Sequence, residues 1–195
     1  MTAQMTEGLD PIDVIVADHR VQLELCDILE RIADGLPEPA ERKLVSRAFD
    51  IIERSWRQHT EFEEQCLFPI LRNRISPDSL THDMLDQFEA EHASDRDVMR
   101  EVVLTLDAVS VPRPQVEPVA VGYLLRSFFE SQRRHIGWET AVVLPLLKSS
   151  LQVDDLKRMS DWLAVTRGAS EPVFKISSGC KNCGGCACSR DIEAR

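Results

Sequence analysis

The sequence lacks positive charge, long apolar runs and strand-like alternation. Its 23 Lys and Arg face 33 Asp and Glu, a formal net charge of −10, so phosphate backbones and anionic membrane surfaces are repelled. No apolar run approaches the ~18 residues that a membrane span needs. The opening residues, MTAQMTEGLDP, have no basic segment followed by an apolar one, so a secretory signal is not expected. Period-two alternation is missing and β-branched runs are short, which argues against strands. Glycine-rich phosphate loops, nucleophile triads and basic patches interleaved with aromatics are missing too. These absences leave an acidic chain of 195 residues, 43% hydrophobic, enough for one domain with a real core. The expectation is a cytoplasmic protein with no nucleic-acid or membrane partner.

Of six cysteines, Cys26 and Cys66 stand alone in apolar-periodic segments, while Cys180, Cys183, Cys186 and Cys188 crowd one short stretch. A disulfide scaffold would spread its cysteines through a small secreted chain. Clustered thiols in a reducing compartment read as metal ligands or redox groups. All five histidines precede Glu139, away from that cluster, so two distinct sites are expected.

Proline and glycine cut the chain into long helical blocks: about Pro11 to Ala33, Pro39 to Asn73, Asp78 to Val109 and Glu117 to Ser149. A shorter amphipathic piece follows from about Val153 to Thr166. Four long helices with short connections predict an all-α, up-down-up-down four-helix bundle over residues 10–150. A short accessory helix over 151–167 and an irregular Cys-rich tail over 168–195 complete the chain.

The apolar seam of each helix is interrupted in a patterned way. In the second helix it reads Val45, Phe49, Ile52, Trp56, His59, Glu63, Cys66, Ile70; in the fourth, Val121, Leu125, Phe128, Gln132, His135, Glu139, Val142, Leu146. A His and a Glu four apart thus occupy core positions in both. The first helix gives Ile12, Ile15, His19, Cys26 and Leu29, and the third Leu85, Phe88, His92, Met99 and Leu106. Every core helix therefore points one histidine inward. His82 lies ten residues before His92, ~15 Å along a helix, so it reads as a helix-start or surface residue. The only tyrosine, Tyr123, is likewise too far along its helix from His135 for a direct role.

The second and fourth helices are also copies of one another. The segment His59 to Arg72 aligns without gaps on His135 to Lys148, matching His, Glu, Pro (Pro69 and Pro145) and Leu (Leu71 and Leu147). An acidic residue precedes the remaining two histidines, as Asp18-His19 and Glu91-His92. One helix pair is used twice about a pseudo-twofold axis, which brings both His–Glu pairs to the middle of one bundle. Two ionised glutamates there would each cost several kcal/mol unless paired, and no Lys or Arg shares their seams. Two cations would supply the missing charge. Imidazole with carboxylate suits iron, zinc or manganese, and carboxylate-bridged bundles favour iron or manganese.

In order, helix placement and spacing, His19, His59 with Glu63, His92, and His135 with Glu139 resemble the hemerythrin-like, HHE cation-binding family. The resemblance implies a di-iron centre bridged by Glu63 and Glu139, with the four histidines as terminal ligands. It also departs from the oxygen carriers, which place paired histidines four apart on the third helix. Here the neighbours of His92 at that distance are Phe88 and Arg96, and Thr140 stands where carriers have a bridging aspartate. The pattern is nearer to bacterial members linked to oxygen or nitric oxide sensing, iron handling, peroxide decomposition and iron–sulfur repair.

Three further expectations attach to the sequence. The tail thiols Cys180, Cys183, Cys186 and Cys188 can enclose zinc or an iron–sulfur cluster, although their C-x-C ending departs from the ferredoxin run. Cys66, three residues past Glu63, reads either as ordinary core or as a redox group beside the metals. Pro69 and Pro145 should bend or end their helices past the glutamates. The leading functional reading is a protein that binds or senses oxygen or nitric oxide. The open alternatives are a di-iron enzyme acting on peroxide or nitric oxide, and an iron-oxidising or iron–sulfur repair protein with a protein acceptor.

Overall fold

The computed structural model of the chain describes residues 10–76, 79–111 and 116–168, and all of its regular structure there is helical. Helix α1 (Pro11–Gly35) opens at Asp10, whose carboxylate accepts the Ile12 N–H at 2.9 Å, with proline in the first turn. Helix α2 is one continuous run of segments from Arg42–Ile51 to Phe68–Arg72. Helix α3 (Leu80–Val109) starts at Ser79, whose hydroxyl accepts the Thr81 N–H at 3.2 Å. Helix α4 runs from Pro118–Trp138 through to Leu144–Ser150, and α5 is Val153–Gly168.

Ion pairs along the seams show the alternating directions. Between α1 and α2, Glu24 pairs with Arg47 and Asp18 with His59; between α2 and α3, Glu64 pairs with Arg96 and Arg72 with Asp86. Between α1 and α4, Arg126 reaches Asp34 and Arg133 reaches Asp27 and Glu30, while Gln132 and His135 of α4 bond Asp95 and Glu91 of α3 in turn. In each case rising numbers on one helix meet falling numbers on the next, so the four helices form the expected up-down-up-down bundle.

The bundle core is not one apolar mass. One cluster gathers Leu25, Leu29, Ile51, Val102, Leu125 and Phe128; another gathers Ile15, Phe62, Leu67, Leu85, Leu147 and Met159. Between them lies a buried polar band of His19, Gln22, His59, Glu63, His92, Asp95, Gln132, His135 and Glu139. Both clusters shield this band, which is the arrangement that makes its charges interact strongly.

Helices α2 and α4 do not end or break at their prolines. Each instead widens into a π-turn immediately before the proline, Glu63–Leu67 in α2 and Glu139–Val143 in α4. Pro69 and Pro145 have no N–H to offer the carbonyls of Gln65 and Ala141, and their rings crowd those carbonyls. The turn accommodates this: the N–H of Phe68 donates to Glu63 O, and that of Leu144 to Glu139 O, five residues back. One consequence is a shift of the seam. Beyond Glu139 the buried residues are Val143, Leu144 and Leu147, whereas the heptad step places Val142 and Leu146 there, and both are only half-buried. In α2 the expected seam residues Cys66 and Ile70 stay buried, with Leu67 and Leu71 buried beside them. A third π-turn, Ile52–Trp56, has no proline behind it.

Helix α5 lies against α1 and α2. It buries Met159 and Leu163 and sets Trp162 on Phe62, ring centroids 5.2 Å apart. Asp155 ties it down by accepting from Arg74 at 2.7 Å and from the Gln152 N–H at 3.0 Å. The Arg74 guanidinium holds the Asp155 carboxyl below the usual carboxylate range. Trp138, which the internal repeat pairs with Phe62, is 57% exposed, so the second copy has no such cover among the described residues. No described helix is long and apolar enough to cross a membrane.

Asp155→Ala should loosen α5 and lower the melting temperature by several degrees. A carboxyl held low in the fold stabilises above its unfolded pKa and loses that contribution as acid protonates it. Thermal melts should therefore show the gap between wild type and variant narrowing below about pH 4.

Candidate metal centre

The local sequence dictates where each polar group of the buried band sits. His59 and Glu63 are four apart on α2, and His135 and Glu139 four apart on α4, so each pair shares a helix face. His19 and His92 come from α1 and α3. The structure brings all six together as two overlapping groups, His19, His59, Glu63 and Glu139, and Glu63, His92, His135 and Glu139. Within each group the ligand atoms lie within 4.8 Å of one another.

The glutamates are shared oxygen by oxygen. Glu63 turns Oε1 to His59 Nε2 at 3.2 Å and Oε2 to His92 Nε2 at 3.5 Å. Glu139 turns Oε2 to His19 Nε2 at 3.1 Å and Oε1 to His135 Nε2 at 3.0 Å. The Nε2 atoms of His92 and His135 approach to 3.1 Å. Each carboxylate thus spans both groups, the arrangement a bridging ligand requires.

Outward, every imidazole Nδ1 meets an oxygen. His59 faces Asp18 Oδ2 at 3.4 Å, His92 faces Glu64 Oε1 at 3.2 Å, His135 faces Glu91 Oε2 at 2.8 Å, and His19 faces Thr140 Oγ1 at 3.3 Å. An Nδ1–H held outward leaves Nε2 aimed inward with its lone pair, which is how proteins fix imidazoles for metal ligation. The acidic residues noted before His19 and His92 serve the histidine of a neighbouring helix in each case. Thr140 acts on His19 from outside the cluster, and Glu139 beside it faces the centre.

The chemistry of the donor set fits a pair of cations. His19 Nε2, Glu63 Oε2 and both Glu139 oxygens are buried without a hydrogen-bond partner, although nitrogen and oxygen stand 3.0–3.5 Å apart. Close approach without hydrogen-bond alignment is what donors aimed at a common point show. Each group offers four ligand atoms against about six positions on iron or manganese, so about two positions per ion remain for solvent or a small ligand.

By themselves the six side chains must share protons. Burial works against ionising Glu139, but His135 and His19 outweigh it and hold its carboxyl well below the ordinary range. Burial and the charge of Glu139 push Glu63 the other way. Burial opposes protonating His135, yet Glu139 and Glu91 raise its pKa to about 9; Glu63 and Asp18 similarly overcome burial to raise His59. Burial and the neighbouring His135 depress His92 to about 3.

The remaining sequence candidates fall elsewhere. His82 is half-buried near the start of α3, outside both groups, and Tyr123 is exposed. Cys66 is buried in the apolar cluster one turn past Glu63, where burial raises its thiol pKa; it joins neither group. Cys180, Cys183, Cys186 and Cys188 lie outside the described residues. Sequence reasoning missed Gln22 and Asp95, buried polar residues three past His19 and His92. The missed signal was an uncommented gap in each apolar seam, because those positions are polar in both copies.

Comparison with known proteins came to the same place. The family model for the hemerythrin HHE cation-binding domain matches residues 10–147. No curated protein and no solved structure matches the chain.

Glu63→Ala or Glu139→Ala removes a ligand from both groups at once and should take metal content from about two ions per chain to near none. His19→Ala touches one group and should leave about one. Elemental analysis, with circular dichroism to show that the bundle persists, checks both. Because His59 and His135 hold protons at neutral pH, metal uptake must displace them, so affinity should rise with pH toward about 9. Adding ferrous or zinc ion to lightly buffered apoprotein at neutral pH should acidify the solution.

Proposed function

Because the chain belongs to the hemerythrin HHE cation-binding family, we propose that its two His–Glu groups hold a pair of iron ions that binds or senses a small diatomic ligand, oxygen or nitric oxide. Iron would supply open coordination positions and reversible redox change; the protein supplies the rest. Four imidazoles and two shared carboxylates satisfy the ions while leaving room for a ligand. The oxygens beyond each Nδ1 keep the imidazoles from turning, and the flanking apolar clusters exclude bulk water.

The observation that carries the choice of ligand is access. His19, His59, Glu63, His92, His135 and Glu139 are all buried. The surface hollows lined by Ala33, Pro37, Val119 and Tyr123, and by Val21, Arg47, Arg54 and Ser55, include none of the six. A centre shielded in this way favours ligands of diatomic size that pass between side chains as they fluctuate, over a substrate that needs a cleft. The tail thiols enter the proposal as a second site, for zinc, an iron–sulfur cluster or redox exchange with a protein partner. They follow α5, whose Arg167 donates to Asp18 at 3.2 Å, and Asp18 in turn orients His59.

Protein loaded anaerobically with iron should change its absorption spectrum on addition of oxygen or nitric oxide, at about one ligand per metal pair and without sustained consumption. Many turnovers of hydrogen peroxide or nitric oxide per chain would replace the binding reading with an enzymatic one. No spectral response to any of the three would end the proposal.

A further inference from the structure

The buried band extends past the six candidate ligands on one side only. Toward the cluster of Leu25 and Phe128, each bundle helix contributes a further polar group a single turn away: Gln22 from α1, Trp56 from α2, Asp95 from α3 and Gln132 from α4, with α2 also burying Ser55, whose Oγ has no hydrogen-bond partner among the described residues. Gln22, Trp56, Asp95 and Gln132 are three residues from His19, His59, His92 and His135, about 4.5 Å along each helix axis. On the other side the equivalent turn is apolar, with Ile15, Cys66, Phe88 and Val143 buried there.

Three of the four polar residues are already engaged. Trp56 Nε1–H donates to Gln132 Oε1 at 3.1 Å, and Gln132 Nε2–H donates to Asp95 Oδ2 at 2.6 Å. That chain crosses the bundle from α2 to α4 to α3 and fixes which end of the Gln132 amide faces each neighbour. Gln22 is different. It is 3% exposed, and its Nε2 has no hydrogen-bond partner among the described residues. A buried amide donor left unmet costs stability that a leucine of similar size would not. A layer filled for packing alone would be apolar, as its counterpart across the centre is.

On the reading of the centre given above, we infer that Gln22, Trp56, Asp95 and Gln132 are the wall of the ligand chamber. The small ligand lies on this side of the metal pair, and the Gln22 amide donates a hydrogen bond to it. The chamber therefore selects ligands that present a hydrogen-bond acceptor beyond the metal, small anions and polarised diatomics above neutral, weakly polar ones. Gln22 is the specificity-determining residue, and the Trp56–Gln132–Asp95 chain holds the opposing side of the chamber in place.

Azide is a suitable probe because it is small, anionic and an acceptor at its far end. Iron-loaded, oxidised full-length protein would be titrated with azide, following the charge-transfer absorption for affinity and the azide stretch by infrared spectroscopy. Gln22→Leu should retain the wild-type iron content and melt at the same or a higher temperature, because an unmet donor has been removed. It should nevertheless bind azide about tenfold more weakly, with a shifted stretch that no longer responds to deuterated solvent. Gln22→Met provides a second variant with the same expectation. Cys66→Ala, on the apolar side, should leave affinity and stretch unchanged. Wild-type affinity and stretch in both Gln22 variants would overturn the chamber assignment alone. Failure of the iron-loaded wild type to bind azide or nitric oxide would overturn the reading of the centre with it.

Discussion

Two carboxylates, Glu63 and Glu139, are each 1% exposed and meet in the middle of the bundle, and the rest of the molecule is organised around that fact. Neither has a lysine or arginine to neutralise it at the centre; what faces them is four imidazoles. Carboxylates this deep must be balanced by protons or by cations, and the low permittivity of the two flanking apolar clusters makes either interaction strong. The opposed behaviour of the pair follows. His135 and His19 hold the Glu139 carboxyl low against its burial, while burial and the charge of Glu139 push Glu63 toward the protonated form. Two ions shared between them would remove that conflict, since each carboxylate already gives one oxygen to each histidine pair.

The backbone solution to placing these groups is the same in both halves. In each of α2 and α4 the glutamate is the first residue of a π-turn whose far end abuts a proline. The extra residue lets the helix continue through a position where a regular turn would lose its hydrogen bond and clash. It also decouples two demands on one helix. Before the glutamate the seam is tuned to the histidine; after it, one added residue rotates the following face by about 100°, which in α4 brings Val143 and Leu147 into the core in place of Val142 and Leu146, and in α2 adds Leu71 beside Cys66 and Ile70.

That rotation marks the boundary of what could be read from the sequence. Helix number, order, direction and the inward histidines follow from seam periodicity and from the His–x–x–x–Glu repeat, because burial of an amphipathic stripe permits few alternatives. A heptad step carried unbroken past Glu63 still finds buried Cys66 and Ile70, but past Glu139 it points to Val142 and Leu146, where Val143 and Leu147 are the buried residues. A proline was read as a bend or an end, though a local change of hydrogen-bond pattern also satisfies it. Partners of the imidazole Nδ1 atoms were out of reach for another reason. Asp18 and Glu91 sit beside His19 and His92 in the chain but serve His59 and His135 on the adjacent helices, and adjacency in sequence does not report that crossing. Gln22 and Asp95 looked like gaps in a seam, since a single polar residue at a core position has no periodicity of its own.

The pseudo-twofold that built the centre is broken outside it, and the break makes the two histidine pairs unequal. Thr140, a neutral hydroxyl, stands behind His19 where the related position, Glu64, puts a carboxylate behind His92. Asp18 behind His59 is clamped by Arg167 at the end of α5, whereas Glu91 behind His135 bonds the neutral Gln87 and has a side chain 32% exposed. Of the carboxylates behind the second pair, Glu64 is bonded by Arg96 and Glu91 feels Arg134 only through its charge, while Asp18 behind the first pair is bonded directly by Arg167. Carboxylates behind imidazoles strengthen them as donors, and an arginine on the carboxylate weakens that effect. The His92–His135 side therefore has the more carboxylate behind it, and those carboxylates are more exposed than Asp18. The His19–His59 side has one carboxylate and one neutral hydroxyl behind it. A near-symmetric set of six donors thus sits in unequal surroundings, backed by two carboxylates on the His92–His135 side and by one carboxylate and a hydroxyl on the His19–His59 side.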